Sequence, residues 1–137
     1  MSDSKGFSHI KALVADDTGS MRGILRSLLG SVGINQVDDV SNGKSAIAAI
    51  NTNAYHVIIC DWEMPEVNGI EVLKFVRKNE RTKTLPFIMC TTGNSKEYLM
   101  EAVKCGVSDY LIKPFSQQKF ETKIVAVLEA RWGPASD

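Results

Sequence analysis

A chain of 137 residues has room for one packed core and not comfortably for two. Sixteen basic residues balance sixteen acidic ones, and the sequence pI lies near 6.7, so the basic excess of a nucleic-acid-binding surface is missing. No apolar run approaches a membrane span and the opening MSDSKGFSH lacks the apolar stretch of a secretory signal, so the expectation is a cytoplasmic protein without membrane insertion.

Residues 1–8 are polar and are expected to form a flexible arm. Ile10 to Ala15 (IKALVA) reads as a first strand, ended by Asp16-Asp17. Met21, Ile24, Leu25, Leu28, Leu29 and Val32 then recur at helical spacing, with Thr18 or Ser20 placed to cap the start and Gly33 to end it. Gln36 to Val40 is a short second strand, and Gly43 to Ile50 a brief helix rich in alanine. Val57-Ile58-Ile59-Cys60-Asp61 is a continuous apolar run ending in a carboxylate, the pattern of a fully buried parallel strand. Met64-Pro65 stops it, because proline lacks an N–H and holds its predecessor extended.

A third helix is expected over Gly69 to Lys78 and a fourth strand over Leu85 to Cys90, followed by Thr91-Thr92-Gly93. Ser95 to Cys105 reads as the fourth helix and Asp109 to Ile112 as the fifth strand, closed by Lys113-Pro114. Ser116 caps the last helix, with Phe115 and Phe120 placed as a hydrophobic staple and Ile124, Val127 and Leu128 inward. Strands alternating with helices mean one α/β domain, a doubly wound five-stranded parallel sheet with five helices, spanning about 9–130 before a short tail over 131–137.

The three cysteines, Cys60, Cys90 and Cys105, are odd in number and lack CxxC spacing, so metal binding through sulfur is not expected. Cys60 and Cys90 could face each other across neighbouring strands, but the plainer reading is two reduced core thiols. His9 and His56 are isolated and read as structural.

Four strands deliver polar residues to one sheet edge: Asp16 and Asp17, Asp61, Thr91, and Lys113. Taken singly, a carboxylate after a strand is usually a cap or turn former, and a lysine before proline a solvated charge. Together they fit one task. Crowded carboxylates need a compensating cation, and Mg²⁺ takes oxygen ligands while keeping room for a phosphate oxygen. A carboxylate can also attack phosphorus, in a transfer that needs mainly positioning and charge neutralisation.

With Val14-Ala15-Asp16-Asp17, Asp61 with Met64-Pro65 and Gly69, Thr91 thirty positions after Asp61, and Lys113-Pro114-Phe115, the chain resembles a response-regulator receiver domain of two-component signalling. Ser20-Met21-Arg22 resembles the single-domain chemotaxis (CheY-like) members. The resemblance runs from about His9 to Leu128 and implies a flavodoxin-like sheet of order 2-1-3-4-5. It implies that Asp61 is the phosphoacceptor for a sensor histidine kinase, and that Asp16, Asp17, Asp61 and the Glu63 backbone carbonyl hold Mg²⁺. Lys113 and Thr91 would contact phosphoryl oxygens, and Tyr110 would turn inward as Thr91 moves. The Lys113–Pro114 peptide would be cis.

Helix 95–105 carries more apolar residues than one buried stripe needs, which fits either a broad core face or a docking face. On the docking reading Leu99, Val103, Tyr110 and Lys123 touch a partner such as a flagellar motor switch protein or a phosphatase, and the chain is a monomer that is not a turnover enzyme. Glu63 stands where the chemotaxis members resembled typically carry asparagine, and is expected to tune loss of the phosphoryl group. Gly93 is expected to leave its side of the pocket open. Other readings are a phosphate sink or phosphorelay intermediate, a flavodoxin-like cofactor binder, an aspartyl-nucleophile phosphatase and a non-phosphorylated scaffold.

Overall fold

The computed structural model describes residues 7–93 and 95–134. Its elements run β1 (Lys11–Ala15), α1 (Gly19–Ser31), β2 (Gln36–Val40), α2 (Gly43–Thr52), β3 (Val57–Cys60), α3 (Gly69–Lys78), β4 (Phe87–Thr91), α4 (Lys96–Lys104), β5 (Asp109–Ile112) and α5 (Gln117–Trp132). The five strands are all parallel, in the order β2-β1-β3-β4-β5. β3 and β4 are buried along their whole length, as the centre of a two-faced parallel sheet demands. The edge strand β2 instead carries Asp38 and Asp39, charges that discourage pairing with another chain.

Alternation along the strands divides the core in two. One face packs Leu13, Ile58, Phe87 and Met89 under α2 and α3, with Ala102 of α4; the other packs Val14, Ile59 and Ile88 under Leu25 and Leu29 of α1 and Phe120, Ile124 and Leu128 of α5. The same alternation decides between the two readings of the thiols. Cys60 pairs with Met89, so Cys90 lies one register step away and faces the opposite layer. The two thiols are buried and free, and burial, the largest cause, pushes both up, Cys90 to about 12.

Asn42, Asn68, Ser95 and Ser116 each accept a backbone N–H three residues on, capping α2, α3, α4 and α5. Phe115 stacks on Phe120 at 5.9 Å between ring centroids. Gly33, at φ 91°, takes the left-handed position after α1. Thr18 stands at the start of α1 but makes no side-chain cap, because its hydroxyl is turned to Asp16. Ile24 falls off the buried stripe of α1 and is 48 % exposed. β4 begins at Phe87 rather than Leu85 and includes Thr91.

Among the described residues, packing reaches further towards both ends than expected. The arm over 1–8 lies mostly outside the described residues, yet Phe7 is buried in the core and the Ser8 carbonyl accepts the Gln36 amide. α5 extends into the expected tail, where Trp132 Nε1 donates to the His56 carbonyl at 2.9 Å and Arg131 lies over the indole. His56 Nδ1 accepts the Lys11 N–H at 2.9 Å. Residues 135–137 of the tail lie outside the described residues.

Candidate functional site

The carboxyl edge of the sheet is built by carrying the strand ladder one residue past each strand. Asp16 N–H donates to the Val40 carbonyl at 3.1 Å, Asp61 N–H to Ala15 at 2.9 Å, and Lys113 N–H to Thr91 at 2.9 Å. The backbone of each site residue is therefore fixed by the same bonds that hold the sheet, and their side chains emerge level with one another.

Asp16, Asp17 and Asp61 each offer a carboxylate oxygen within 4.8 Å of the others. Asp16 is buried, Asp61 nearly so, and Asp17 stands exposed at the rim. Lys113 Nζ lies 2.7 Å from Asp16 Oδ2 and 3.2 Å from Asp61 Oδ2. Burial works against the lysine charge, but the Asp16 hydrogen bond and the charges of Asp61 and Asp16 outweigh it and hold the ammonium above the usual lysine range. The Lys113–Pro114 peptide is cis, in line with the resemblance. The other oxygens are also engaged: Asp16 Oδ1 accepts the Thr18 N–H and hydroxyl at 3.0 and 2.9 Å, and Asp61 Oδ1 accepts the Trp62 N–H at 2.7 Å. Arg22 donates to the Asp16 carbonyl and pairs with Asp39.

Hard carboxylate oxygens gathered this tightly are a donor set suited to a divalent cation such as Mg²⁺. Asp17, the rim acid, is the member most open to solvent.

The loop after β3 is held close by Gly69. A Cβ there would lie 2.1 Å from the Asp61 carbonyl, and Gly69 N–H donates to Trp62 O at 2.6 Å. Thr91 is buried at the end of β4, and its Oγ1 accepts the Gly93 N–H at 3.2 Å. Tyr110 is half-buried and its hydroxyl donates to the Gly93 carbonyl at 2.5 Å. Burial first, then the neighbouring Tyr98 and Asp61, push the Tyr110 phenol up.

Gly93 does not leave its side of the pocket open. The Tyr98 ring occupies that space, so close that a Cβ at residue 93 would lie 2.4 Å from Tyr98 Cδ2. Tyr98 also stacks on Trp62 with centroids 4.3 Å apart and planes 7° from parallel. Its hydroxyl donates to the Glu63 carboxylate at 3.3 Å.

The remaining sequence candidates lie beside this edge. Leu99 and Val103 are 43 % and 63 % exposed on α4, and only Ala102 of that helix is buried, so its extra apolar residues are not a broad core face. Lys123 on α5 pairs with Asp109 of β5 at 3.0 Å. Sequence reasoning offered Thr18 only as a helix cap and Arg22 only as part of the resemblance, and gave neither these nor Trp62 or Tyr98 a role at the site. Asp16-x-Thr18 has the spacing of an Asx turn and could have been found. Trp62 and Tyr98 lie 36 positions apart and carry no local sign that they meet.

Fold and edge together define a receiver domain. Residues 12–125 match the response regulator receiver domain family, and the chain belongs to it. It is 39 % identical over 120 residues to the chemotaxis protein CheY1 of Helicobacter pylori, covering 87 % of this chain and 97 % of that protein. It is 33 % identical over 120 residues to the chemotaxis protein CheY of Pseudomonas aeruginosa, covering 88 % and 97 %. Among solved structures, the chemotaxis response regulator CheY4 of Vibrio cholerae superposes with a TM-score of 0.80 at 32 % identity, over 87 % of this chain and 98 % of that one. No helix among the described residues is long and apolar enough to cross a membrane.

Proposed function

We propose that the chain is a phosphoryl-accepting switch that takes its phosphoryl group on Asp61 from the phosphohistidine of a sensor histidine kinase. One observation supports this above the others: the Lys113 ammonium joins Asp16 and Asp61 within a cluster of three acids. In this reading an Asp61 oxygen attacks phosphorus, the P–O bond forms as the P–N bond breaks, and the electron pair leaves on the imidazole. Lys113 then pairs with a phosphoryl oxygen, and the Thr91 hydroxyl leaves Gly93 for another. Mg²⁺ would be held by Asp17, Asp61 and the Glu63 backbone carbonyl, with Asp16 acting through water, and would neutralise phosphoryl charge.

The output follows from Thr91. When its hydroxyl turns to the phosphoryl group, Tyr110 moves into the space it leaves, and the face formed by α4, β5 and α5 repacks. Leu99, Val103, Tyr110 and Lys123 form the partner surface. The relatives named for chemotaxis make a flagellar motor switch protein the first partner to test, with a phosphatase as the second. Exposure of Leu99 and Val103 favours such an output over a phosphate sink or phosphorelay intermediate. Glu63 tunes the lifetime of the phosphorylated form, which decays slowly.

Intact mass after incubation with Mg²⁺ and a small phosphodonor tests the reading. One added phosphoryl group that requires Mg²⁺ and is missing in Asp61→Asn is the expected result. No adduct on the folded protein refutes the mechanism and favours the non-phosphorylated scaffold.

A further inference from the structure

Glu63 sets a problem for the chemistry proposed at Asp61. It adds an exposed negative charge, beside that of Asp17, two residues after the acceptor, where it would repel an anionic donor. Among the described residues, the Glu63 side chain has no cationic partner and one hydrogen-bond donor, the Tyr98 hydroxyl. A single bond at 3.3 Å positions little unless the donor itself is held. Here it is: Trp62 stacks against one part of the Tyr98 ring, and the bare Cα of Gly93 lets the ring lie against the loop after β4. A side chain at residue 93 would push it away.

We propose that Tyr98 is a positioning residue for the phosphorylation reaction, holding the Glu63 carboxylate off the path of the donor. The inference rests on Asp61 being the acceptor. With a small acyl phosphate as donor, an Asp61 oxygen forms the new P–O bond while the bond from phosphorus to the acyl oxygen breaks, and a free carboxylate leaves. Donor and leaving group are both anions. A Glu63 side chain released from Tyr98 would therefore slow approach by charge alone, and salt would relieve the effect.

The test is the rate of Asp61 labelling by a small acyl phosphate with Mg²⁺, followed by intact mass. Tyr98→Phe keeps the stacked ring and removes only the hydroxyl. It should slow labelling by roughly threefold at low salt, the size expected for one charge moved a few ångströms in a solvated site. The deficit should shrink at high salt and vanish in a Glu63→Gln background, where no charge needs holding. Gly93→Ala, which leaves Tyr98 chemically intact but displaces its ring, should behave in the same way. A Tyr98→Phe rate equal to wild type, or an equal loss with and without Glu63→Gln, would overturn the proposal. Wild-type protein that takes no phosphoryl group would instead bring down the proposed function itself, and this inference with it.

Discussion

α3 and α4 pack on the same face of the sheet but are held in different ways. α3 buries Gly69, Ile70, Val72, Leu73 and Val76 out of ten residues, whereas α4 buries Ala102 alone out of nine. What joins α4 to the rest is an aromatic stack, a few hydrogen bonds and an exposed Lys74–Glu101 pair at 3.9 Å, which contributes little in water. Apolar burial is concentrated in α3, while Leu99, Met100 and Val103 of α4 stay exposed, as the proposed docking role of α4 would need. The helix that stabilises the domain and the helix that would report its state are thus neighbours with separate duties.

The largest effect that could break this contrast is at the core of α3. Leu73→Ala should cost about 2–5 kcal/mol in denaturant unfolding, the range for a fully buried leucine. A loss below about 1 kcal/mol would remove the distinction. Leu99→Ala should leave unfolding within about 0.5 kcal/mol of wild type. Paired with Tyr110→Ala, it should weaken partner binding to the phosphorylated form by roughly tenfold; unchanged affinity would remove α4 from the docking surface.

The site edge sharpens the same division between stability and function. Lys113 pairs with Asp16 and Asp61, and Asp17 crowds a third carboxylate against them, so relieving the Asp17 charge should not destabilise the metal-free protein. Asp17→Asn, at the exposed rim, should raise its unfolding free energy by up to about 1 kcal/mol while weakening Mg²⁺ binding. A clear loss of stability would mean that Asp17 is structural.

The smallest effect concerns the end of α5. Burial, then the nearby His9, lower the His56 pKa below its ordinary 6.5. The unfolded chain therefore binds the proton more readily, and stability should fall as pH drops from about 6.5 towards the folded value, then level off. A His56→Gln variant should lose that slope in pH-dependent melting. An unaltered slope would assign it to other groups.

The strands were legible because each is an apolar run with an abrupt polar end, and the same ends named Asp16, Asp17, Asp61, Thr91 and Lys113. Which strand face each residue takes was less legible. Whether Cys60 and Cys90 face each other was open in the sequence, and only the register puts them in opposite layers. Phe7 sat in a segment expected to be a flexible arm and Trp132 in one read only as a short tail, yet one large side chain can anchor a polar stretch. The placement of Tyr98 could not be found from local pattern, since it depends on Gly93 lacking a side chain and on Trp62 in another loop. The apolar excess of α4 was visible in sequence, while its exposure needed the packing.

In the proposed switch, Asp61 chemistry is read out through α4. Hydrogen exchange followed by mass spectrometry, on the resting and the Asp61-phosphorylated protein, tests that most directly. The expected result is that Leu99–Lys104 exchanges faster than Leu73–Lys78 at rest and changes its protection on phosphorylation, while α3 stays the same. Equal protection of the two helices, with no change at α4 when Asp61 is fully phosphorylated, would contradict it.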